Sequence, residues 1–566
     1  VTVNGIDNKG TSVSAAAGAN VNLDGTVAND DAATVSSSGA VTLDTNTTQQ
    51  VQNLTLSGDG AAVTFDVPSA ETPESITLSG DQNVTVAVDA ADIADETVTD
   101  STSAGTTTLA IKTATAAVHD LSNATVDVVD LTDGTNGGFT FRVQNEQAVK
   151  LSDDMTAIGN STIDSTELSS GDETINLTVA ASQGTNDTIL TDFETVNLTV
   201  DDGDDTNNPT AISIDDLTAA NATVNVSGPD ALTLADNGAA NVDVLNAASL
   251  SGALTVTMDV DIDDVTGGSG DDAIDGIGAA VATVVGNGGD DTFTLDGNSN
   301  VDITGGAGND TVSVGAAGRD FTGAAEFKIN GIEVIDLNNN DDNSLRVDSA
   351  EINGKSLSVT GNSNGGQDVL DVVLGNTASA NLSNLFVDDD NVDIVIEGTS
   401  VNDEIDGSNA QDTVTGGTGD DTINGAGGND VLSGEGDVDT IDGGAGGDTI
   451  TGGAGADTLT GGTGNDTFQL VADAAQLGDT INDFNQGSGG EDTLAIDVIT
   501  GTAAGASTTV FADAFDGSSI GRIVTALSLG NSSVGTSDIL SSPGTTIGTG
   551  TGTGSTVTGV QFVFST

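Results

Sequence analysis

Cysteine, tryptophan and tyrosine are absent from the 566 residues, and histidine occurs once, at position 119. Without cysteine there are no disulfides and no thiolate chemistry, and a zinc site of the usual Cys/His kind has no ligands. The zinc-protease motif H-E-x-x-H needs two histidines. A Ser-His-Asp hydrolase would have His119 as its only base. The two G-x-S-x-G matches, at 361–365 and 517–521, both follow His119, whereas the hydrolase order places the histidine last. A lone histidine in the apolar phrase AAVHDLS reads as a structural residue.

Basic residues are nearly as scarce. Nine Lys and Arg stand against 88 Asp and Glu, a formal net charge of −79. That balance excludes binding to nucleic-acid phosphates through a basic face and adhesion to an anionic membrane surface. Long apolar runs are missing too. The longest, IGAAVATVV at 277–285, falls far short of the roughly 20 residues of a spanning helix, so no membrane span is expected. The first residues, VTVNGIDNKG, contain no Met and no signal-peptide pattern, which points to a processed chain or another export signal.

What is present is Thr, Val, Ala, Asp, Gly and Asn, a β-rich and turn-rich composition. The 36 % hydrophobic content falls in regular short runs, unlike a disordered polymer. The most ordered stretch is 398–469. Cut into nines it reads GTSVNDEID, GSNAQDTVT, GGTGDDTIN, GAGGNDVLS, GEGDVDTID, GGAGGDTIT, GGAGADTLT and GGTGNDTFQ. Position six is always Asp: Asp403, Asp412, Asp421, Asp430, Asp439, Asp448, Asp457 and Asp466. Position eight is always large and apolar: Ile405, Val414, Ile423, Leu432, Ile441, Ile450, Leu459 and Phe468. A low-complexity acidic linker would not hold that register.

The last three residues of each unit suit a short strand with position eight inward. The first six make a turn whose glycines reach backbone angles closed to other residues. Two units make one coil of 18 residues, so eight units stack as four coils, and position-six aspartates recur in a column on each edge, about 4.8 Å apart. Residues 398–469 hold fourteen Asp or Glu and no Lys or Arg, and no basic residue occurs from 356 to 521. Stacked carboxylates repel and raise one another's pKa. Ca²⁺, which takes six to eight carboxylate and carbonyl oxygens in tolerant geometry, resolves this better than Mg²⁺. The pattern G-G-x-G-x-D-x-U-x identifies the stretch as a calcium-binding β-roll of the RTX superfamily.

Three more units, GGSGDDAID, GNGGDDTFT and GGAGNDTVS, begin at Gly267, Gly286 and Gly305, 19 residues apart. That spacing places a calcium-type loop on one edge only, with Asp272, Asp291 and Asp310 in one column over Ile274, Phe293 and Val312. The expected fold is all-β: an elongated parallel β-solenoid with an RTX β-roll and an additional N-terminal β-rich domain. The segments expected are an N-terminal β-rich domain at 1–150, a solenoid segment at 151–265, single-sided repeats at 266–318, a β-rich insertion at 319–397, the β-roll at 398–470, and a C-terminal cap with a secretion signal at 471–566. The alternating strands of 1–150 suit a sandwich as well as a solenoid. Two phrases, DFETVNL at 192–198 and GIEVIDL at 331–337, share the form apolar-Glu-x-apolar-x-Leu and read as a repeated solenoid device.

RTX rolls accompany proteases, lipases, epimerases, toxins, adhesins and surface-layer proteins. The long Thr/Val/Ala/Asn-rich flanks, the scattered single-sided repeats and the dearth of Cys, His and Trp resemble RTX-type surface-layer proteins of Gram-negative bacteria. That resemblance implies a type I secreted, extracellular protein that folds with multiple Ca²⁺ ions and assembles with itself into a lattice (S-layer) or fibre at the cell surface. The segment LGDTINDFNQGSGGEDTLAID at 477–497 resembles the closing segment of such rolls, and implies a last ion at Asp479, Asp483 and Asp492. The Gly/Ser/Thr-rich tail ending GVQFVFST resembles an uncleaved type I secretion signal. Members of this family hold lipopolysaccharide through an N-terminal helical domain. This sequence has no long amphipathic helix, so cell-surface polysaccharide or lipopolysaccharide is a partner implied without residues to carry it.

Two other classes of function remain open to this sequence. An adhesin or surface-binding module would use the Thr at position seven (Thr413, Thr422, Thr440, Thr449, Thr458, Thr467) as a flat hydroxylated face, although such Thr also simply suits a strand. A polysaccharide-active enzyme is disfavoured. The acids leave a glycosidase pair open, but sugar subsites need stacking aromatics, and here only 14 Phe are available. The expectation is therefore a structural protein and not an enzyme, with no catalytic residues.

Overall fold

Two interleaved units make up the chain in the computed structural model. One comprises Val1–Phe293 with Ile303–Gly308, the other Thr294–Asp302 with Asn309–Thr566. The structure describes the strands between Thr2 and Asp497 and the turns tied to them, with unbroken runs at 282–315 and 392–471, and four short strands beyond Asp497; the intervening loops lie outside the described residues.

In the first unit successive strands alternate between two faces. One face runs through Thr2–Ile6, Ala19–Gly25, Val41–Asp44, Val63–Asp66 and Val84–Asp89, and on to Asp264–Thr266. The opposite face begins with a five-stranded sheet of Thr11–Ala15, Ala32–Ser37, Asn53–Gly58, Ser75–Gly80 and Thr97–Asp100. Strands one coil apart pair in parallel, as in Leu54↔Ile76 and Leu177↔Leu198. This is a parallel β-solenoid, and it settles the fold of 1–150, where alternation alone left sandwich and solenoid open. Period-2 patterning is the same for both; only the parallel pairing tells them apart. Inward residues such as Leu56, Leu78, Val86, Val196 and Val200 are fully buried. Each such side chain contributes on the order of 1.5–3 kcal/mol.

The second unit follows the same plan. Ser344–Asp348, Asp368–Val373 and Val392–Glu397 pair in parallel, and the last pairs with Asp412–Thr418, the first strand on that face of the nonapeptide block. Within the block the position-eight residues stack in two inward columns, Ile405↔Ile423↔Ile441↔Leu459 and Val414↔Leu432↔Ile450↔Phe468. All eight are buried. The coil is 18 residues here, two nine-residue units, against 21 or 22 at Thr34↔Thr55↔Thr77. Among the described residues there is no α-helix; one 3-10 turn, Ser349–Glu351, interrupts the strands.

Basic side chains serve as counter-ions between some coils. Arg346 bridges Asp371 and Glu397 on the next two strands, and Arg319 lies 3.2 Å from Asp296.

Candidate metal centre

The turns of the nonapeptide block place each position-six aspartate at the entrance to its strand, just before position eight enters the core. Its Oδ1 accepts a hydrogen bond from the backbone N–H of the aspartate one coil earlier. On one edge Asp403 donates to Asp421, Asp421 to Asp439 and Asp439 to Asp457, each at 2.9 Å. On the other, Asp412 donates to Asp430 and Asp430 to Asp448 at 2.9 Å, and Asp448 to Asp466 at 3.0 Å. The two expected columns are therefore present as hydrogen-bonded ladders. Upstream, the Asp272 N–H donates to Asp291 at 2.8 Å.

The slot is not restricted to aspartate. Glu333 occupies it one coil after Asp310 and accepts the Asp310 N–H at 2.9 Å. Glu194 accepts the Glu173 N–H at 2.6 Å. The shared apolar-Glu-x-apolar phrase is thus a carboxylate that caps the neighbouring coil's backbone.

The second oxygen of the aspartates separates the units. In the first two, position two is Thr399 or Ser408 instead of glycine. Asp403 Oδ2 accepts the Thr399 N–H at 2.6 Å and its hydroxyl at 2.9 Å. Asp412 accepts the Ser408 N–H at 2.7 Å through Oδ2 and its hydroxyl at 2.9 Å through Oδ1. In the units that follow, the Oδ2 atoms of Asp421, Asp430, Asp439, Asp448 and Asp457 are buried and have no hydrogen-bond partner. An ionised buried oxygen without a partner is strongly unfavourable.

Position one explains where a partner for these atoms would sit. A Cβ at Gly434 would lie 2.2 Å from Asp439 Oδ2 and 2.5 Å from the Gly452 carbonyl oxygen. Gly425, Gly443 and Gly407 show the same pair, the aspartate of their own unit and the position-one carbonyl of the next coil, at 2.4 and 2.6 Å. Position-one glycine is therefore required to keep a small oxygen-lined space open. Position two is glycine for a different reason: Gly417, Gly444, Gly453 and Gly462 have φ between +96° and +112°, and Ala426 and Glu435 take the same region at +70° and +74°.

Electrostatics follow the burial. Desolvation pushes the Asp430 carboxyl up to about 8, Asp412 and Asp439 to about 7, and Asp448, Asp272 and Asp479 to about 6, against backbone hydrogen bonds that pull the other way. Asp421, Asp457 and Asp466 are raised by the same cause. For Asp430, the carboxylates of Asp412 and Asp448 in adjacent coils add to the rise. Among the described residues no three His, Asp or Glu side chains converge, so a cation would draw on position-six carboxylates and position-one carbonyls.

At the C-terminal end the structure distinguishes the expected residues. Asp479 accepts the Asp457 N–H, and Asp492 the Asp466 N–H, both at 3.1 Å, so these two extend the ladders. Asp483 stands apart. Its carboxylate accepts the N–H groups of Gly461 and Gly462 at 2.9 and 2.7 Å. The signal for Asp479 is the triplet Asp-Thr-Ile, the same as positions six to eight, displaced by a 22-residue coil. Phe484 lies beside Phe468, ring centroids 6.1 Å apart.

His119 is buried, paired across strands with Phe141, their rings 5.5 Å apart. Residues 362–365 and 517–521 of the two G-x-S-x-G matches lie outside the described residues, as does most of 498–566. No curated protein matches the chain. The family model of the RTX calcium-binding nonapeptide repeat (4 copies) matches twice, over residues 397–432 and 433–468. These are the residues that build the two ladders, and they make this part of the chain an RTX-type calcium β-roll.

Proposed function

We propose that the protein is a secreted, extracellular structural protein that folds with several Ca²⁺ ions and assembles with itself into a cell-surface lattice or filament. The observation that carries this reading is the row of buried, partnerless Oδ2 atoms facing glycine-lined spaces, repeated coil after coil. Asp421, Asp430, Asp439, Asp448 and Asp457, with Asp466, Asp479 and Asp492 at the end of the ladders, would hold the ions together with the position-one carbonyls. Asp272 and Asp291, joined by the same backbone-to-carboxylate bond, would form a shorter, one-sided column. Asp403 and Asp412, with hydroxyls and N–H groups already on their carboxylates, need no ion. Bound Ca²⁺ would supply positive charge where burial alone favours protonation, and its binding free energy would become folding free energy.

Self-assembly is supported by a solenoid plan common to both units and by the surplus of acidic groups, which divalent ions can bridge between copies. Electron microscopy of the purified protein in millimolar Ca²⁺ and in chelator tests it. Ordered sheets or fibres that dissolve in chelator support the reading. A protein that stays monomeric in Ca²⁺ yet binds cells would instead be an adhesin, the reading favoured by the outward threonine rank Thr422↔Thr440↔Thr458.

A further inference from the structure

The five-stranded sheet of the first unit, Thr11–Ala15 to Thr97–Asp100, has an unusual outer surface. Most of its inward positions are buried Val, Leu, Ile and Ala, with Ser37 and a half-buried Asp100 at strand ends. Its outward positions form ranks in exact register across the coils, the central one Ser12↔Thr34↔Thr55↔Thr77↔Thr99. Beside it runs Ser14↔Ser36↔Ser57↔Ser79, and a third rank consists of Ala32, Asn53, Ser75 and Thr97. No outward position on this face carries a charge. The other face of the same unit does not share this property: Asp66, Lys112, Asp130 and Lys150 project from it.

Ser and Thr on a strand surface are ordinarily explained by solvation and strand propensity. The absence of charge is what needs explaining in a chain of net charge −79. Two copies of so acidic a molecule repel each other wherever carboxylates face carboxylates. An uncharged, regular face is where they can approach without a bridging ion. Strand spacing of about 4.8 Å and a rise of about 3.3 Å per residue make the face on the order of 400 Å². A stable complex needs about 800 Å² per partner, and Ser and Thr are poor anchors of binding energy. Such a face would not hold a dimer in dilute solution. It suits a weak contact that gains strength only when repeated through an assembly.

We propose that this uncharged face is where copies of the chain meet, a proposal that rests on the self-assembly put forward above. The calcium loops would stiffen each copy, while the hydroxyl ranks provide the neutral contact between copies. The test compares three full-length proteins in Ca²⁺: wild type, T55E/T77E, and T85E/T108E, which puts the same charge on the outward side of the other face, on two adjoining coils of the same unit. Assembly is read by sedimentation and electron microscopy, folding by circular dichroism and calcium binding by titration. With folding and calcium binding unchanged, T55E/T77E is expected to raise the concentration needed for assembly about tenfold or more, partly reversed by salt, while T85E/T108E stays close to wild type. Equal effects of the two variants, or none from T55E/T77E, overturn the proposal. So does a T55E/T77E protein that assembles normally but no longer binds dextran, which would assign the face to a neutral polysaccharide. A wild type that fails to assemble at any Ca²⁺ concentration overturns the underlying self-assembly reading itself.

Discussion

Ser408 donates both its backbone N–H, at 2.7 Å, and its hydroxyl, at 2.9 Å, to the carboxylate of Asp412. One coil later Ala426, which has no hydroxyl, stands in place of that serine, and Asp430 has a buried Oδ2 with no partner. The same ladder position is thus satisfied by protein in the first coil and has no protein partner for its Oδ2 in the next.

This contrast gives the first expected outcome. In Ca²⁺, Asp430→Asn should lower the number of bound ions and reduce stability by several kcal/mol, since a buried charged group loses its partner. Asp412→Asn should leave the ion count unchanged, because the carboxylate it removes is already held by Ser408. Calorimetric titration of both variants checks this.

Position two carries removable strain. Ala426 and Glu435 sit at φ +70° and +74°, a conformation that costs a side-chain-bearing residue about 1–2 kcal/mol. Part of that is offset by the flexibility glycine adds to the unfolded chain. Ala426→Gly and Glu435→Gly should therefore each stabilise the calcium-loaded roll by about 0.5–1 kcal/mol, seen as a rise in Tm. Gly434→Ala, whose Cβ would fall 2.2 Å from Asp439 Oδ2, should do the opposite and weaken calcium binding.

Burial sets the pH dependence. In the folded roll Asp430 titrates at about 8 and Asp412 and Asp439 at about 7, far above the roughly 3.9 of an unfolded aspartate. The folded state therefore binds more protons than the unfolded one between those values, and stability falls as pH rises. In chelator, the stability these groups confer is fully present below about pH 4 and lost as pH rises through 7 to 8. With Ca²⁺ the trend reverses, since protons and cations compete for the same oxygens, and affinity should drop on acidification from pH 8 to 6. Thermal melts at pH 5 and pH 8, with and without chelator, measure both signs.

The core and the cap respond independently of calcium. Ile441 is fully buried between Ile423 and Leu459, so Ile441→Ala should cost about 2–5 kcal/mol. Asp483→Ala removes the acceptor for the Gly461 and Gly462 N–H groups and should cost about 1.5–3 kcal/mol with no loss of bound ions. Denaturant unfolding combined with ion counting separates these effects.

The roll was legible because its chemistry recurs every nine residues: position eight named the core and position six the ladders. What escaped the spacing were departures from it. Asp479 was only one of three acids in the closing segment, because its coil is 22 residues instead of 18, and its place in the ladder emerges from the Asp457 hydrogen bond. Thr399 and Ser408 were visible as missing glycines, yet their capture of Asp403 and Asp412 depends on backbone geometry that composition does not encode. The phrase around Glu333 reads as a device in sequence; that its carboxylate caps the Asp310 N–H follows only from the parallel register. In residues 1–150, strands such as VTFD and SITL alternate as hairpin strands do. Only which strand pairs with which reveals a solenoid.

Hydrogen exchange followed by mass spectrometry, in Ca²⁺ and in chelator, tests the central claim most directly. If the roll is folded by cations, amides in 416–471 should be strongly protected only in Ca²⁺, while those of Asn53–Gly58 and Ser75–Gly80, which have no calcium-type loops, keep their protection in both. Equal protection of 416–471 in chelator and in Ca²⁺ at pH 8 would contradict it.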